Sequence, residues 1–337
     1  MTSKLELLVT EYQRLGIDQQ LDYDKFYLYS LITHSTAIEG STITEIENQI
    51  LFDYGISLKG KSLIEQSMNL DLKAAYDKTI QLARRHSPIT VNGLIDLSAI
   101  VMKNTGNEYN TALGQFSSSR GELRLLNVSA GIGGRSYMSF TKVPMKLDQL
   151  CKNINEARKN LNSFSIQERY NLSFDAHFHL VTIHPWADGN GRMARLLMNW
   201  LQFEAGLIPT KIKKEDKEDY IKALEATREQ DDLEIFRQFM SEMMAKQLEN
   251  DINAYKTSVG EDGENLQIES HSIPEIKSST KVRILGYLSE NQYLSAAALA
   301  TKLGLSVAAI QKQLATLKRE GKLERIGPSK GGYWKVL

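Results

Sequence analysis

The sequence predicts a mainly α-helical protein that is long enough for two or three globular domains. Apolar residues recur at three- and four-residue spacing through most of residues 1–250, which is the periodicity of helices that pack on a core. Signals for β-strands are confined to residues 123–144 and to the C-terminal end. With 42% hydrophobic and 24% charged residues, the 337-residue chain has the composition of an ordinary soluble protein.

Four segments carry the clearest helical pattern, and a hairpin interrupts them. The helices are predicted over 66–85, 167–183, 191–206 and 231–248. Gly206 followed by Pro209 predicts the end of the third helix. Between residues 123 and 144, β-forming residues surround three closely spaced glycines, which predicts a β-hairpin. These glycines are Gly131, Gly133 and Gly134.

Charge is distributed unevenly along a chain whose net charge is zero. Residues 277–337 carry 11 Lys and Arg against 3 Asp and Glu, whereas residues 1–276 carry 30 against 38. This asymmetry predicts a basic C-terminal domain with a role of its own. The preceding stretch, 256–280, is polar, contains Gly, Ser and Pro, and has no sustained periodicity, so it is the candidate linker.

The C-terminal domain has the order of elements of a winged helix-turn-helix. Three short helices precede two strands around a Pro-Ser-Lys-Gly-Gly tip, and Ser295 and Ser306 are the expected N-caps of the second and third helices. In such folds the third helix enters the DNA major groove. The candidate DNA contacts are Gln311, Lys312, Gln313, Lys318, Arg319 and Lys330. Dimerisation or docking of a protein partner is an alternative use of the same fold.

Several classes of protein are excluded by composition. Cys151 is the single cysteine, so the chain has no internal disulfide. Charged residues interrupt the N-terminal stretch, unlike the apolar core of a signal peptide. No window approaches the roughly 18 uncharged apolar residues that span a bilayer. We therefore expect a cytoplasmic protein without a membrane partner.

The stretch HPWADGNGR, from His184 to Arg192, predicts an anion site at the start of a helix. Glycines let backbone N–H groups approach a ligand, and a helix N-terminus presents unpaired N–H groups to which phosphate commonly binds. Arg192 and Arg195 are three residues apart and can contact the same anion. Asp188 would repel a bare phosphate, so we expect a magnesium ion between them. The unperturbed pKa of a histidine lies near neutrality, so His184 is the candidate base.

The full string HPWADGNGRMAR resembles the signature HPFxDGNGRxxR of the Fic family, with Trp186 in place of the usual Phe. Members of this family transfer AMP from ATP to hydroxyl side chains of other proteins. The resemblance implies that His184 deprotonates the target hydroxyl, that Asp188 holds Mg²⁺, and that pyrophosphate leaves after in-line attack on the α-phosphorus. The implied nucleotide-binding residues are Gly189, Asn190 and Gly191 at the α- and β-phosphates, and Arg192 and Arg195, with Arg195 at the γ-phosphate.

Simpler interpretations of these residues are open. Gly-Asn-Gly alone is typical of a turn. His177, His179 and His184 could be taken for a metal cluster, but positions two apart on a helix point to different sides, and no fourth ligand accompanies them at zinc spacing. We therefore predict a packing role for His177 and His179.

A second motif, STAIEG, runs from Ser35 to Gly40, and its Ser35 and Glu39 share one helix face. A helix end with Gly40 as C-terminal cap and a solvated Glu39 would explain the residues alone. The string also resembles the inhibitory motif of the Fic family, Ser or Thr, three residues, Glu, then Gly or Asn. The resemblance implies that Glu39 pairs with Arg195 and withdraws it from the γ-phosphate. It also implies that Glu39 could orient a water that removes AMP from a modified target.

Three further features follow from the resemblance. The hairpin over 123–144 matches the position of the family's flap, which docks a target segment as an added strand, although an ordinary surface hairpin explains the same pattern. Residues 218–232 resemble the segment lining the adenine pocket, where Tyr220 is the candidate adenine neighbour and Arg228 replaces a frequent asparagine. Relatives with the inhibitory motif self-associate in many cases, so we expect a homodimer.

Four domains are predicted, and two classes of function fit them. The domains are an N-terminal helical region with the inhibitory helix (1–90), a Fic catalytic core (91–250), a linker (251–280) and a winged helix-turn-helix (281–337). In the first class the protein is an adenylyltransferase that uses ATP and Mg²⁺. In the second it is a transcription regulator whose core senses ATP. An intact His184 favours the enzyme, because a sensor needs no base.

Overall fold

Two compact units make up the chain, residues 1–255 and residues 256–337. The computed structural model describes residues 2–129, 136–259, 284–285, 287–288, 292–303, 307–319, 322–326 and 333–336. The finer boundaries of the four predicted domains stay predictions.

Helices dominate the described part of the first unit. The α-helices are α1 Lys4–Arg14, α2 Tyr23–Ile38, α3 Glu45–Tyr54, α4 Leu63–Arg84, α5 Val91–Val101, α6 Val143–Arg158, α7 Ile166–Ile183, α8 Asn190–Glu204, α9 Lys217–Gln230 and α10 Leu233–Val259. Single 3-10 turns lie at Ile17–Gln19, Phe140–Lys142, Leu161–Ser163 and Lys214–Asp216. The mainly α fold is confirmed, and the four predicted helices correspond to α4, α7, α8 and most of α10. No helix among the described residues is long and apolar enough to cross a membrane.

Capping boxes define the starts of α1, α3, α4 and α7. In each, a Ser or Thr side chain accepts from the backbone N–H three residues later, and the Glu at that later position accepts from the N–H of the cap, so two unpaired donors are satisfied. The pairs are Ser3 with Glu6, Thr44 with Glu47, Ser62 with Glu65 and Ser165 with Glu168. Each capping box involves residues three positions apart, so it can form without contacts to the hydrophobic core.

The centre of the first unit is the pair α7 and α8. The two helices pack along each other, and α4 and α5 cover α8. Trp186 and Trp200 are the largest fully buried side chains. The Tyr76 hydroxyl, on α4, donates a 2.6 Å hydrogen bond to Oδ1 of Asn199 on α8 inside this core. The turn between α7 and α8 is therefore held on a rigid scaffold.

The described part of the first unit contains one two-stranded hairpin that was not predicted, whereas the predicted hairpin over 123–144 has a single isolated antiparallel bridge among its described residues. Over 123–144, the arms approach at an antiparallel bridge between Ser129 and Ser136, and the amide of Tyr137 donates to the Val128 carbonyl at 3.0 Å. The glycines predicted at its tip, Gly131, Gly133 and Gly134, lie outside the described residues. The two-stranded hairpin pairs β1 Glu108–Thr111 with β2 Gly114–Ser117. Its strands are too short to give a periodic signal.

The second unit contains the elements expected of a winged helix-turn-helix. Its described elements are α11 Ala296–Leu303, α12 Val307–Arg319, β3 Leu323–Ile326 and β4 Tyr333–Val336, and the two strands pair antiparallel. Ser295 caps α11 by accepting from the Ala298 amide at 3.1 Å, whereas Ser306 and Lys330 lie outside the described residues. Ile284, Leu299 and Leu314 belong to a separate small core.

The buried bond between Tyr76 and Asn199 predicts the effect of one substitution. Tyr76→Phe removes the donor and leaves an amide oxygen unpaired in the core, which should lower the free energy of unfolding by about 1–3 kcal/mol. The matched control is Tyr109→Phe, because the Tyr109 hydroxyl makes no hydrogen bond to a described residue, and a change within about 0.5 kcal/mol is expected. Urea unfolding measures both. Equal destabilisation by the two variants would contradict the prediction.

Candidate active site

The turn between α7 and α8 is closed by two left-handed residues and one asparagine. His184 ends α7 at φ +52°, and Gly189 precedes α8 at φ +82°. The Asn190 side chain accepts from the Trp186 amide at 3.0 Å and donates to the Trp186 carbonyl at 2.9 Å. Buried Trp186 also donates from Nε1 to the Gly121 carbonyl at 2.8 Å, a bond that the usual Phe could not make. The turn therefore has a fixed backbone.

Both glycines of this turn are required by close contacts. A Cβ atom at Gly189 would lie 2.7 Å from the sulfur of Met102, and the positive φ also disfavours a side chain. At Gly191 a Cβ atom would lie 2.6 Å from Oε1 of Glu39. Glycine at 191 thus lets the Glu39 carboxylate lie against the first turn of α8.

Arg192 is buried at this helix start with an incomplete set of partners. Its Nη2 lies 3.0 Å from the Met102 sulfur and 3.7 Å from Oδ1 of Asp188. Its Nε and Nη1 are buried and have no acceptor among the described residues. Burial lowers the pKa of Arg192, which nevertheless stays charged at neutral pH. Buried donors without acceptors are suited to an anion that arrives from outside.

Arg195 is held by Ser35 on α2 and by Glu39, which directly follows this helix. Its Nε donates to Oγ of Ser35 at 2.8 Å, and its Nη2 donates to the Ser35 carbonyl at 2.9 Å and to Oε1 of Glu39 at 2.5 Å. Burial acts to raise the pKa of Glu39, but the charge and hydrogen bond of Arg195 outweigh it, and the pKa is lowered. The structure therefore brings together the two motifs, 156 residues apart in sequence.

The end of α2 is anchored from two sides. Lys217, at the start of α9, donates from Nζ to the Ile38 carbonyl at 2.7 Å. On the other side, the hydroxyl of Thr36 and the amide of Asn48 both donate to Oδ1 of Asn69 on α4, at 2.8 Å each. Gly40 follows the helix at φ +102°. These contacts hold Glu39 in position; Lys217 and Asn69 were not identified from the sequence.

The imidazole of His184 is held by its own helix and by the hairpin. Its Nδ1 lies 3.3 Å from the Val181 carbonyl, so Nδ1 is the assigned donor and Nε2 carries the lone pair. The ring stacks on Tyr137 with centroids 3.7 Å apart. Burial, assisted by the charges of Arg124 and Arg228, lowers the pKa of His184 to about 4, although the bond to Val181 acts in the opposite direction. The imidazole is therefore neutral at pH 7.

Tyr220, Arg228 and the other two histidines lie around the same region. The Tyr220 hydroxyl is 3.1 Å from Nε2 of His177, and burial raises the pKa of Tyr220 to about 12. His177 packs between Tyr220 and Phe236, whereas His179 contacts Phe178. These contacts agree with packing roles for both histidines. Arg228 donates to Oγ1 of Thr182 at 3.2 Å.

Any metal at this site would depend on Asp188. Its carboxylate is half exposed and accepts from the Gly189 amide at 2.5 Å. Among the described residues, no three His, Cys, Asp or Glu side chains are grouped so as to hold an ion. A single carboxylate fits Mg²⁺, which is commonly bound through one or two carboxylates, waters and substrate phosphates.

The chain is similar to known proteins in both of its units. The Fic/DOC family model matches residues 88–202, and a winged helix-turn-helix DNA-binding model matches residues 277–324. Protein adenylyltransferase fic-1 of Caenorhabditis briggsae is 26% identical over 260 residues, 75% of this chain and 47% of its own length. Protein adenylyltransferase Fic of Nematostella vectensis is 29% identical over 231 residues, 67% of this chain and 48% of its own length. The chain thus spans about half the length of these curated relatives.

Solved structures share the fold. A Fic domain containing signaling protein from Bacteroides thetaiotaomicron has a TM-score of 0.62 at 23% identity, covering 76% of this chain and 97% of its own. A Fic family protein from Desulfovibrio desulfuricans has a TM-score of 0.57 at 17% identity, covering 100% and 97%.

Fold and site together define a helical protein in which buried arginines lie at a glycine-containing turn and a glutamate after α2 pairs with one of them. Residues 88–202 match the Fic/DOC family, and residues 277–324 match the winged helix-turn-helix family.

Burial of neutral His177 predicts how stability depends on pH. Burial lowers its pKa to about 3, from an ordinary 6.5. Between these values the unfolded chain binds more protons, so the free energy of unfolding falls as pH decreases, by about 2 kcal/mol from pH 7 to pH 5 for this group. His177→Phe removes the titration, so the variant should lose about 2 kcal/mol less than wild type over this interval. Urea unfolding at both pH values measures this difference, and parallel losses would contradict it.

Proposed function

We propose that this protein transfers AMP from ATP to a Ser, Thr or Tyr hydroxyl of a target protein or of itself. The observation that carries the proposal is a neutral histidine, His184, beside a helix start where buried Arg192 has donors without acceptors. The names of the two curated relatives support the same activity. A cytoplasmic location, expected from the composition, and a homodimer, expected from the resemblance, also belong to the proposal.

The proposed nucleotide site follows the turn. Backbone N–H groups of Asn190 and Gly191 would bind the α- and β-phosphates, because the Asn190 side chain is already used to brace Trp186. The Gly189 N–H would join them after leaving the Asp188 carboxylate, to which it donates in this structure. Arg192 would complete its hydrogen bonds on the same phosphates. Asp188 would hold Mg²⁺, which supplies positive charge to the triphosphate when it is bound. Tyr220 stays a proposed adenine neighbour.

In the proposed reaction His184 is the general base. Nε2 accepts the proton of the target hydroxyl, whose oxygen forms a bond to the α-phosphorus while the bond to the bridging oxygen breaks and pyrophosphate leaves. Because the fixed turn sets the imidazole and the amide donors relative to each other, positioning and charge neutralisation supply most of the catalysis.

Glu39 restrains this reaction in our proposal. Its carboxylate lies against Gly191 and pairs with Arg195, to which the γ-phosphate would otherwise bind. ATP would then bind in a pose unsuited to attack, since like charges repel and the γ-phosphate loses its arginine. The same carboxylate could orient a water to remove AMP from a modified target, so removal is the second direction of the proposed activity.

Substitution of Glu39 tests the activity and the restraint together. With α-labelled ATP and Mg²⁺, Glu39→Gly should label itself or a lysate protein about tenfold or more faster than wild type, a barrier reduction of about 1.4 kcal/mol or more. Glu39→Gln keeps the size and removes the charge, so its rate should be intermediate. Adding His184→Ala to Glu39→Gly should abolish labelling.

The outcomes separate the two parts of the proposal. Equal labelling by wild type and Glu39→Gly would refute the restraint while leaving the activity intact. Absence of label from every variant, together with measurable ATP binding, would favour an ATP sensor instead of an enzyme.

A second candidate function is regulation of transcription through the winged helix. The match to a DNA-binding family model favours it, and Gln311, Lys318 and Arg319 on α12 are exposed. Gln313 is half-buried, and the side chain of Lys312 lies outside the described residues. In this function the Fic core would act as an ATP sensor.

A gel-shift measurement with a random-sequence duplex pool tests DNA binding. Changing Lys318 and Arg319 together to Ala should weaken binding about tenfold or more and reduce its salt dependence, because two phosphate contacts are lost. Lys78→Ala with Arg85→Ala is the charge-matched control, since both residues are exposed on or just after α4. Equal weakening by the two double variants would indicate a nonspecific charge effect and no DNA-reading helix.

A further inference from the structure

Arg124 is a buried cation that the proposed nucleotide site does not use. Its residue exposure is 1%, and no carboxylate lies within ion-pair distance of it among the described residues. Burial lowers its pKa, but a guanidinium stays protonated in proteins. A buried charge without a counter-ion costs several kcal/mol unless hydrogen bonds compensate it.

Three carbonyl groups from separate parts of the chain provide that compensation. The Arg124 guanidinium donates from Nε to the His184 carbonyl at 2.8 Å, from Nη1 to Leu126 at 2.8 Å and from Nη2 to Met138 at 2.6 Å. Its backbone N–H donates to the Pro185 carbonyl at 3.0 Å. One residue therefore binds the end of α7 and both arms of the 123–144 hairpin.

Tyr137 provides a second link between the same parts. It precedes Met138, its ring stacks on the His184 imidazole, and its amide donates to Val128 across the hairpin. The second arm is thus fixed to the first arm, to Arg124 and to the imidazole. Displacement of either arm would alter the surroundings of Nε2.

We propose that Arg124 is a positioning residue that fixes the two described arms of the 123–144 segment relative to His184, so that a target segment bound along these arms presents its hydroxyl to Nε2. This inference rests on the proposed function. A strand added to the hairpin takes its register from the hairpin backbone, and a misplacement of about 1 Å can reduce a rate about 100-fold. A planar guanidinium can bind three carbonyls at once, whereas a lysine ammonium on a flexible stem cannot reproduce that fork.

The test uses the full chain carrying Glu39→Gly, with Arg124→Lys or Arg124→Gln added. Arg120 supplies the matched control, because it is exposed and pairs only with Glu108 and Glu122 at the surface. Arg124→Lys should lower the maximal labelling rate at saturating ATP about 10- to 100-fold while the KM for ATP changes less than about twofold. Amide exchange of Tyr137 should become faster. Arg120→Lys should change none of these beyond about twofold.

The labelling rates and the amide exchange of Tyr137 together support or contradict a positioning role for Arg124. A labelling rate for Arg124→Lys equal to that of its parent, with unchanged exchange at Tyr137, would overturn it. A parallel loss of ATP binding would also overturn it, because the residue would then support the whole unit. Circular dichroism first shows whether Arg124→Gln is folded. If it is not folded, the test rests on Arg124→Lys alone. If Glu39→Gly itself does not label, the proposed function fails, and unchanged Tyr137 exchange would still refute the contacts claimed for Arg124.

Discussion

Buried positive charge around one turn is the constraint on which the first unit depends. Arg124, Arg192 and Arg195 are all at least 97% buried, and none can lose its proton near neutrality. The three guanidinium groups differ in the partners that stabilise their buried charge. Arg124 binds backbone carbonyls, and Arg195 binds a serine and a glutamate of α2. Arg192 keeps two nitrogens without an acceptor among the described residues. An anion that binds from outside would therefore form the most new hydrogen bonds at Arg192.

The pairing of Arg195 connects the helix start to the N-terminal part of the chain. Glu39 is held at the end of α2, which Lys217 and the polar cluster around Asn69 anchor. Removing Glu39 from Arg195 without moving α2 would leave a buried guanidinium short of its counter-charge, a state that is strongly disfavoured. In the proposed function, release therefore requires either a phosphate that replaces the carboxylate or a movement of α2.

Sequence patterns predicted the helices and the residues of the turn because both have local signatures. Capping boxes and apolar periodicity determine where α4 and α7 lie, and HPWADGNGR is contiguous. Arg124 could not be found in this way, since its partners are carbonyl groups that every residue possesses. The stack of Tyr137 on His184 and the sulfur of Met102 beneath Gly189 also join distant segments. Such contacts depend on tertiary packing, and one sequence does not reveal them.

Gly191 has an evolutionary consequence. In the restrained state there is no room for a Cβ atom, because Oε1 of Glu39 would lie 2.6 Å away. In the proposed nucleotide-bound state the same position must leave its amide open to phosphate. A mutation here would change the inactive and the active form together, so selection could not adjust the strength of the restraint at this position independently of nucleotide affinity. We therefore expect the resting activity to be tuned on α2, where Ser35 contacts Arg195 without contributing to the turn.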